Sequence, residues 1–336
     1  MRAYVLDRYG APLRATQIAR PEPKDHEVLV RVVASGVNHL DERLRLGELK
    51  SLFPLHLPKV MGSELSGEVI QVGRQVHGLA VGDKVYGFPG PQAMGSFAQY
   101  VTVDAAALAL APSSVPLVDV AGLPVVGLSV WQGLVGLGGL SSGQRVLIHG
   151  GGGGVGSIAI QVAKYLGAYV ITTASASSAQ AVRDLGADEH VDYTSQDFTH
   201  VLRHRPVDLV LDTQGGKVLE RSLQVVRKGG MVVSLAGTPE PTLADRLGSG
   251  IMVKAALGAM SWRLRRRAAR LGVTYRFLFI RPDRDGLRSL ARMVDDGVLR
   301  PVVGRVLPAE QTLQALEVLM AGGVHGKIIV SHVLES

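Results

Sequence analysis

Residues 146–175 read VLIHGGGGGVGSIAIQVAKYLGAYVITTAS, and this stretch decides the fold. The apolar run Val146, Leu147, Ile148 predicts a buried strand, and a glycine cluster follows it directly. Ile158, Ala159, Val162, Ala163 and Leu166 then recur at helical spacing until Gly167 stops the helix, and a second strand is expected at 169–173. Within the unit Gly151, Gly153 and Gly156 satisfy G-x-G-x-x-G, while Gly150, Gly153 and Gly156 satisfy G-x-x-G-x-x-G; Gly154 and Val155 lie between the last two glycines. Such a turn needs residues without a Cβ, so that the chain can reverse, a pyrophosphate can reach the backbone and the helix can pack on its strand. The N-terminal N–H groups and the dipole of the helix then face the phosphates. A glycine cluster alone would equally suit a flexible loop. Flanked by this strand and this helix, it predicts a dinucleotide site.

Outward from this unit, strands are expected at 208–212 and 231–235. A helix between them should turn Leu219, Leu223 and Val226 to the sheet and end at Gly229 and Gly230. Alternation of strand and helix implies a doubly wound parallel sheet over 121–282, entered through a small-residue helix near 121–135. Residues 1–120 read differently: short strands at 2–6, 27–34, 67–72 and 97–103 are broken by Gly, Pro and Asp turns. Residues 283–336 hold two amphipathic helices, one with Leu287, Leu290, Ala291 and Val294, the other with Leu313, Leu316, Leu319 and Met320. A closing strand is expected at 327–333.

The 336 residues are 46% hydrophobic, enough for two cores. With no cysteine, disulfides, thiolate metal ligands and a catalytic thiol are excluded. The opening MRAYVLDRYG reads as a strand and not as a signal peptide, and no stretch has the length and apolarity of a membrane span, so a cytoplasmic protein is expected. A net charge of +7 favours anionic partners, a phosphorylated cofactor among them.

The order of motifs resembles the zinc-independent quinone oxidoreductase branch of the medium-chain dehydrogenase/reductase superfamily. The matching pieces are EVLVRVVASGVNHLD (27–41), VMGSELSGEVIQVG (60–73), VGDKVYG (81–87), LPVVGLSVWQGL (123–134), the glycine-rich unit, LGADEHVDY (185–193), LDTQGG (211–216) and GKIIV (326–330). The resemblance implies a GroES-like β-rich catalytic domain at 1–120, a Rossmann domain at 121–282 and a return segment, 283–336, that completes the first domain. It also implies an NADPH-dependent enzyme that transfers hydride to a quinone or an α,β-unsaturated carbonyl. Where zinc-dependent relatives carry a Cys and the His of a G-H-E motif, this chain has Asn38 and Ser63, so no metal is expected. His200 and His204 stand at i and i+4 in the basic context THVLRHRP, which reads as a solvated surface.

Sites for NAD place an Asp or Glu at the end of the second strand to bind the ribose 2′-hydroxyl. Here the loop reads Ala174-Ser175-Ala176-Ser177-Ser178, and the first acid is Asp184. Ser175 and Ser177, with Tyr193 at a position that contacts the 2′-phosphate in relatives, point to NADPH; the serines also suit an ordinary helix start. Asn38 matches a residue near the nicotinamide ribose or the acceptor, with Asp41 orienting it, although Asn and Asp also cap turns. Ser129 and Lys327 match residues along the nicotinamide and phosphate path; Lys327 alternatively reads as a solvated charge. The run at 275–280 is apolar and β-rich and predicts an edge strand for a homodimer. WRLRRRAAR at 262–270 reads as a solvated helix, or as a patch for an anionic membrane surface or nucleic acid. The latter leaves a non-enzymatic NADPH-binding protein with an RNA-binding or membrane-surface role as the alternative.

Overall fold

In the computed structural model, which describes residues 1–333, the chain divides into two compact units. One comprises Met1–Leu128 together with the chain from Arg281 onward, and the other is Ser129–Ile280.

The second unit is built on six parallel strands in the order Glu189–Asp192, Tyr169–Ala174, Arg145–His149, Val207–Asp212, Val226–Ser234, Thr274–Phe277. Its central strands are apolar on both faces: Val146, Leu147, Ile148, Val170, Ile171, Val210 and Leu211 are fully buried, as a sheet covered by helices on both sides requires. Chain order reverses beside Arg145–His149, whose neighbours are the next strand in sequence on one side and a later one on the other. The glycine turn thus leaves the sheet at the topological switch point of a Rossmann fold. The helix Gly154–Tyr165 buries every residue from Gly156 to Ala163, and Gly167, at φ +78°, ends it.

Two local expectations fail here. The helix after Gly215 stops at Ser222, and Val226, Gly229 and Gly230 belong to a strand. Gly229, at φ +79°, sits where the register against Val207–Asp212 shifts. A left-handed glycine serves a β-bulge as readily as a helix end, and the two cannot be told apart from composition. The helix expected at 121–135 is a regular helix only over Leu123–Val130. From Trp131 to Leu137 it widens, with Gly138 N–H donating to Gly133 O, five residues back.

In the first unit Glu27–Gly36 is the organising strand of a GroES-like β architecture. It pairs with Leu65–Val72, Tyr100–Asp104 and Lys327–Ser331, all antiparallel. Lys84–Gly87, Leu108–Leu110 and Val303–Pro308 extend the sheet, and Val28, Val30, Leu65, Val69, Val85, Val101, Val103 and Leu108 fill its core. A second sheet joins Arg14–Gln17, Arg2–Leu6 and Lys59–Val60. The unit extends to Leu128 where the sequence puts the break at residue 120, because residues 121–128 pack inside it. Ala121 lies against Ala34 and Ile329, and Gly127 approaches Leu290 so closely that a Cβ there would stand 2.7 Å from the leucine methyl.

Candidate active site

The register of the closing strand builds the first cluster. Ile329 pairs with Gly36 and Val330 with Ser35 in antiparallel fashion, and Val37 N–H donates to Ile328 O, so Lys327 arrives beside Asn38. Its ammonium donates to Asn38 Oδ1 (2.5 Å) and Val37 O (3.0 Å) and pairs with Glu64 Oε1 (2.9 Å). An ammonium has three hydrogens, and all three are taken. Glu64 is fully buried: Oε1 also receives Asn38 Nδ2 (2.8 Å) and Oε2 receives the Val125 N–H (2.6 Å). Gly36 makes room for this carboxylate, since a Cβ there would stand 2.1 Å from Glu64 Oε1.

Opposite charges therefore grip the two ends of the Asn38 amide. The cation holds Oδ1, while Glu64 and Ser63 Oγ (3.2 Å) take the two amide hydrogens. Neither amide hydrogen is left over, so any further bond to this side chain can only be accepted by Oδ1. Asn38 also caps the helix His39–Arg45, and its backbone N–H donates to Asp41 Oδ2 (2.9 Å). Asp41 is buried, with Ser63 beside its carboxyl. Burial pushes the Asp41 carboxyl up to about 7, against the opposing bond from Asn38 N–H, so Asp41 is neutral through the acidic range. Burial also pushes His39 below its ordinary value, with Lys327 adding to the effect. The cluster thus sets the Lys327–Glu64 ion pair beside an acid that keeps its proton below about 7.

The glycines of the second unit answer different demands. Gly150 adopts φ +71°. A Cβ on Gly151 would stand 2.2 Å from Thr172 Oγ1, and one on Gly156 would stand 2.2 Å from Gly150 O, so the fold itself excludes both side chains. Gly153, the cap of the helix Gly154–Tyr165 at φ −84°, would meet nothing nearer than Gly150 O at 3.4 Å. Nothing inside the protein requires a glycine there, which is what a site for an external backbone-hugging ligand predicts. Gly154 and Val155 follow it, half-buried, in the first turn of the helix.

Behind the turn lies a buried chain of hydrogen bonds. Ser222 Oγ donates to Val218 O and so receives Nε2–H of His149 (2.9 Å). His149 Nδ1 then accepts from Thr173 Oγ1 (3.0 Å), whose oxygen takes the Gly150 N–H (3.3 Å). Burial, with Arg221 adding to it, pushes the imidazole down to about 4 and keeps it neutral.

At the ends of the neighbouring strands, Ser175 Oγ lies 2.9 Å from Ser177 Oγ and 3.1 Å from Ser178 Oγ, and the exposed Tyr193 joins the same edge through its N–H to Ala174 O. The nearby Asp192 is turned to Thr194 and Ser195. Ser129 is buried on the helix Leu123–Val130. The structure thus joins Asn38, Asp41 and Lys327 in one cluster and places Gly150, Gly153, Ser175, Ser177 and Tyr193 along one edge of the parallel sheet. Lys327 is not a solvated charge. His200 and His204 are exposed, and among the described residues no group of three or more His, Asp or Glu side chains is placed to hold a metal ion. Glu64 escaped the sequence reading. Its signal was a lone acid in the otherwise uncharged run VMGSELSG, next to the Ser63 already singled out.

Comparison with known proteins gives the family of the chain. Residues 24–113 match the alcohol dehydrogenase GroES-like domain family, and residues 185–330 the family described as zinc-binding dehydrogenase. The chain is 35% identical to the mitochondrial NAD(P)H oxidoreductase RTN4IP1 of Danio rerio over 98% of its own length and 91% of the relative's. It is 37% identical to the 2-methylene-furan-3-one reductase of Solanum lycopersicum over 72% of its own length and 63% of the relative's. The solved quinone oxidoreductase of Coxiella burnetii superposes with a TM-score of 0.84 at 29% identity, covering 98% of this chain and 99% of that one. With its glycine turn, its GroES-like unit and these relatives, the chain belongs to the medium-chain dehydrogenase/reductase superfamily, in its branch of NAD(P)H-dependent quinone and enone oxidoreductases.

Proposed function

We propose that this protein reduces a quinone or an α,β-unsaturated carbonyl with NADPH, without zinc, as a cytoplasmic homodimer. The observation that carries the reading is Gly153, a glycine at the mouth of the turn that the fold itself does not need. Gly150, Gly153, Gly154, Val155 and Gly156 would hold the pyrophosphate on backbone N–H groups, and Ser175, Ser177 and Tyr193 would receive the 2′-phosphate on hydroxyls, with no carboxylate in the loop 174–178 to repel it. Bound NADPH supplies the hydride. Ser129 is assigned to the nicotinamide path on family position.

In the catalytic cluster Asn38 works as an acceptor, because both its amide hydrogens are engaged. That suits a hydroxyl donor such as the nicotinamide ribose, and it removes Asn38 as a donor to a developing oxyanion. Lys327 and Glu64 orient the amide, and Asp41 fixes the helix start that carries it. Reduction of the acceptor ends with a proton taken from water. Asn38 and Ser63, in place of metal ligands and hydrogen-bonded to one another, offer zinc neither a thiolate nor an imidazole at these two positions. The dimer reading rests on Thr274–Phe277, which among the described residues pairs only with Val226–Ser234 and leaves the outer edge of the sheet open.

Steady-state NADPH oxidation against a panel of quinones and enones tests the proposal. Turnover of conjugated carbonyls with no oxidation of simple alcohols by NADP⁺ is expected. Alcohol oxidation that a chelator abolishes would overturn it.

A further inference from the structure

The helix Ile251–Arg270 has a division of character along its length that neither the cofactor site nor the buried cluster uses. It is anchored by a narrow face, with Leu257, Ser261 and Ala268 buried. The opposite face is open. Met252, Ala256, Ala259, Arg263, Arg266 and Arg270 follow one another at helical spacing and are all exposed. The first half of that stripe is apolar, with Met252 84% and the adjacent Ile251 77% exposed; the second half is arginine. Trp262, 53% exposed, stands at the junction, with the Arg266 guanidinium 5.0 Å above its ring.

Charge is as one-sided as hydropathy. The twenty residues contain no Asp or Glu. Lys254 pairs with Asp245 and Arg267 with Glu220, while among the described residues Arg263, Arg265, Arg266 and Arg270 meet no carboxylate. Exposed Ile, Met and Trp side chains next to arginines that meet no carboxylate fit an environment with an apolar layer beneath an anionic one.

We propose that this helix docks the protein on an anionic lipid bilayer surface. Ile251 and Met252, in the first turn of the helix, enter the boundary between headgroups and acyl chains. Trp262 lies at the interface, and Arg263, Arg265, Arg266 and Arg270 contact lipid phosphates. No helix among the described residues is long and apolar enough to cross a membrane, so the contact is peripheral. Nucleic acid would satisfy the arginines and leave the apolar half in water. A second copy across a two-fold axis would set arginines against arginines.

Vesicle binding by the full chain tests the proposal. The chain has two tryptophans, so Trp131→Phe leaves Trp262 as the sole reporter. Vesicles of phosphatidylcholine with phosphatidylserine are expected to bind the protein and phosphatidylcholine alone to bind it weakly. Salt should weaken binding, and acyl-chain-brominated lipid should quench Trp262. Replacing Arg263, Arg265, Arg266 and Arg270 by Gln should lower partitioning on the order of a thousand-fold, from the attraction each arginine has for an anionic surface. Ile251→Ser with Met252→Ser should lower it about tenfold. Both variants should keep NADPH oxidation. Equal binding to neutral and anionic vesicles, binding without quenching, or capture of RNA or an acidic protein with vesicles left untouched would each overturn the proposal.

Discussion

The ammonium of Lys327 lies 2.5 Å from the side-chain oxygen of Asn38, a contact that spans 289 residues of sequence and sets the direction of the amide. Because Glu64 takes an amide hydrogen from the other side, the lysine and the glutamate together determine what Asn38 offers. The pair is buried, and each charge depends on the other.

Removing one partner should therefore cost far more than removing both. Lys327→Met or Glu64→Gln alone is expected to destabilise the first unit by about 3–5 kcal/mol, and the double variant by clearly less than the sum. Chemical denaturation of the four proteins in the cycle measures the coupling. Additive losses would mean that the pair is not a unit.

Asp41 and His149 should give opposite pH dependences in the same window. The folded Asp41 keeps its proton up to about 7 where the unfolded one releases it near 4, so its contribution falls by about 4 kcal/mol as pH rises through that range. His149 is held neutral down to about 4, while the unfolded chain binds a proton below 6.5. Its contribution is lost, by about 3 kcal/mol, as pH falls from 6.5 towards 4. The two slopes largely offset. Stability of Asp41→Asn should then rise between pH 4 and 6.5 relative to the parent, and that of His149→Gln should fall. Parallel curves for all three proteins would refute the assignment.

Two glycines of one turn should fail differently. Gly156→Ala drives a methyl to within 2.2 Å of Gly150 O and should destabilise the second unit by about 2–3 kcal/mol. Gly153→Val should change stability by less than about 1 kcal/mol and raise the NADPH dissociation constant at least about tenfold, because only the ligand needs that space. Thermal melts and fluorescence titration separate the two. Unchanged NADPH affinity in Gly153→Val would place the cofactor elsewhere.

The turn was legible because its demands are local: strand, glycines and helix adjoin in sequence, and their spacing carries the chemistry. The buried cluster was legible only in part. Asn38, Asp41 and Lys327 came from family position, but their partnership depends on the register of Lys327–Ser331 against Glu27–Gly36, a pairing of chain ends that no local pattern encodes. Glu64 was passed over for the same reason, since a single acid in a strand-like run reads as an exposed charge until its partners are known. Gly229 was misread because a helix end and a β-bulge both call for the left-handed backbone.

Cofactor choice is expected to turn on one loop position. Ser175→Asp puts a carboxylate where the 2′-phosphate would sit and supplies an acceptor for a ribose hydroxyl, so the ratio of kcat/KM for NADPH over NADH should fall by about two orders of magnitude. A parent enzyme that uses NADH as well as NADPH would show that the acid-free loop does not select.

Hydride transfer itself is tested most directly with NADPH deuterated at C4 of the nicotinamide, prepared separately on each face, and an enone as acceptor. The account predicts that one of the two cofactors delivers a single deuterium to the β-carbon of the reduced product, seen by mass and by NMR, and that the other delivers none. A product reduced without deuterium from either cofactor, or no NADPH oxidation with any quinone or enone, would contradict it.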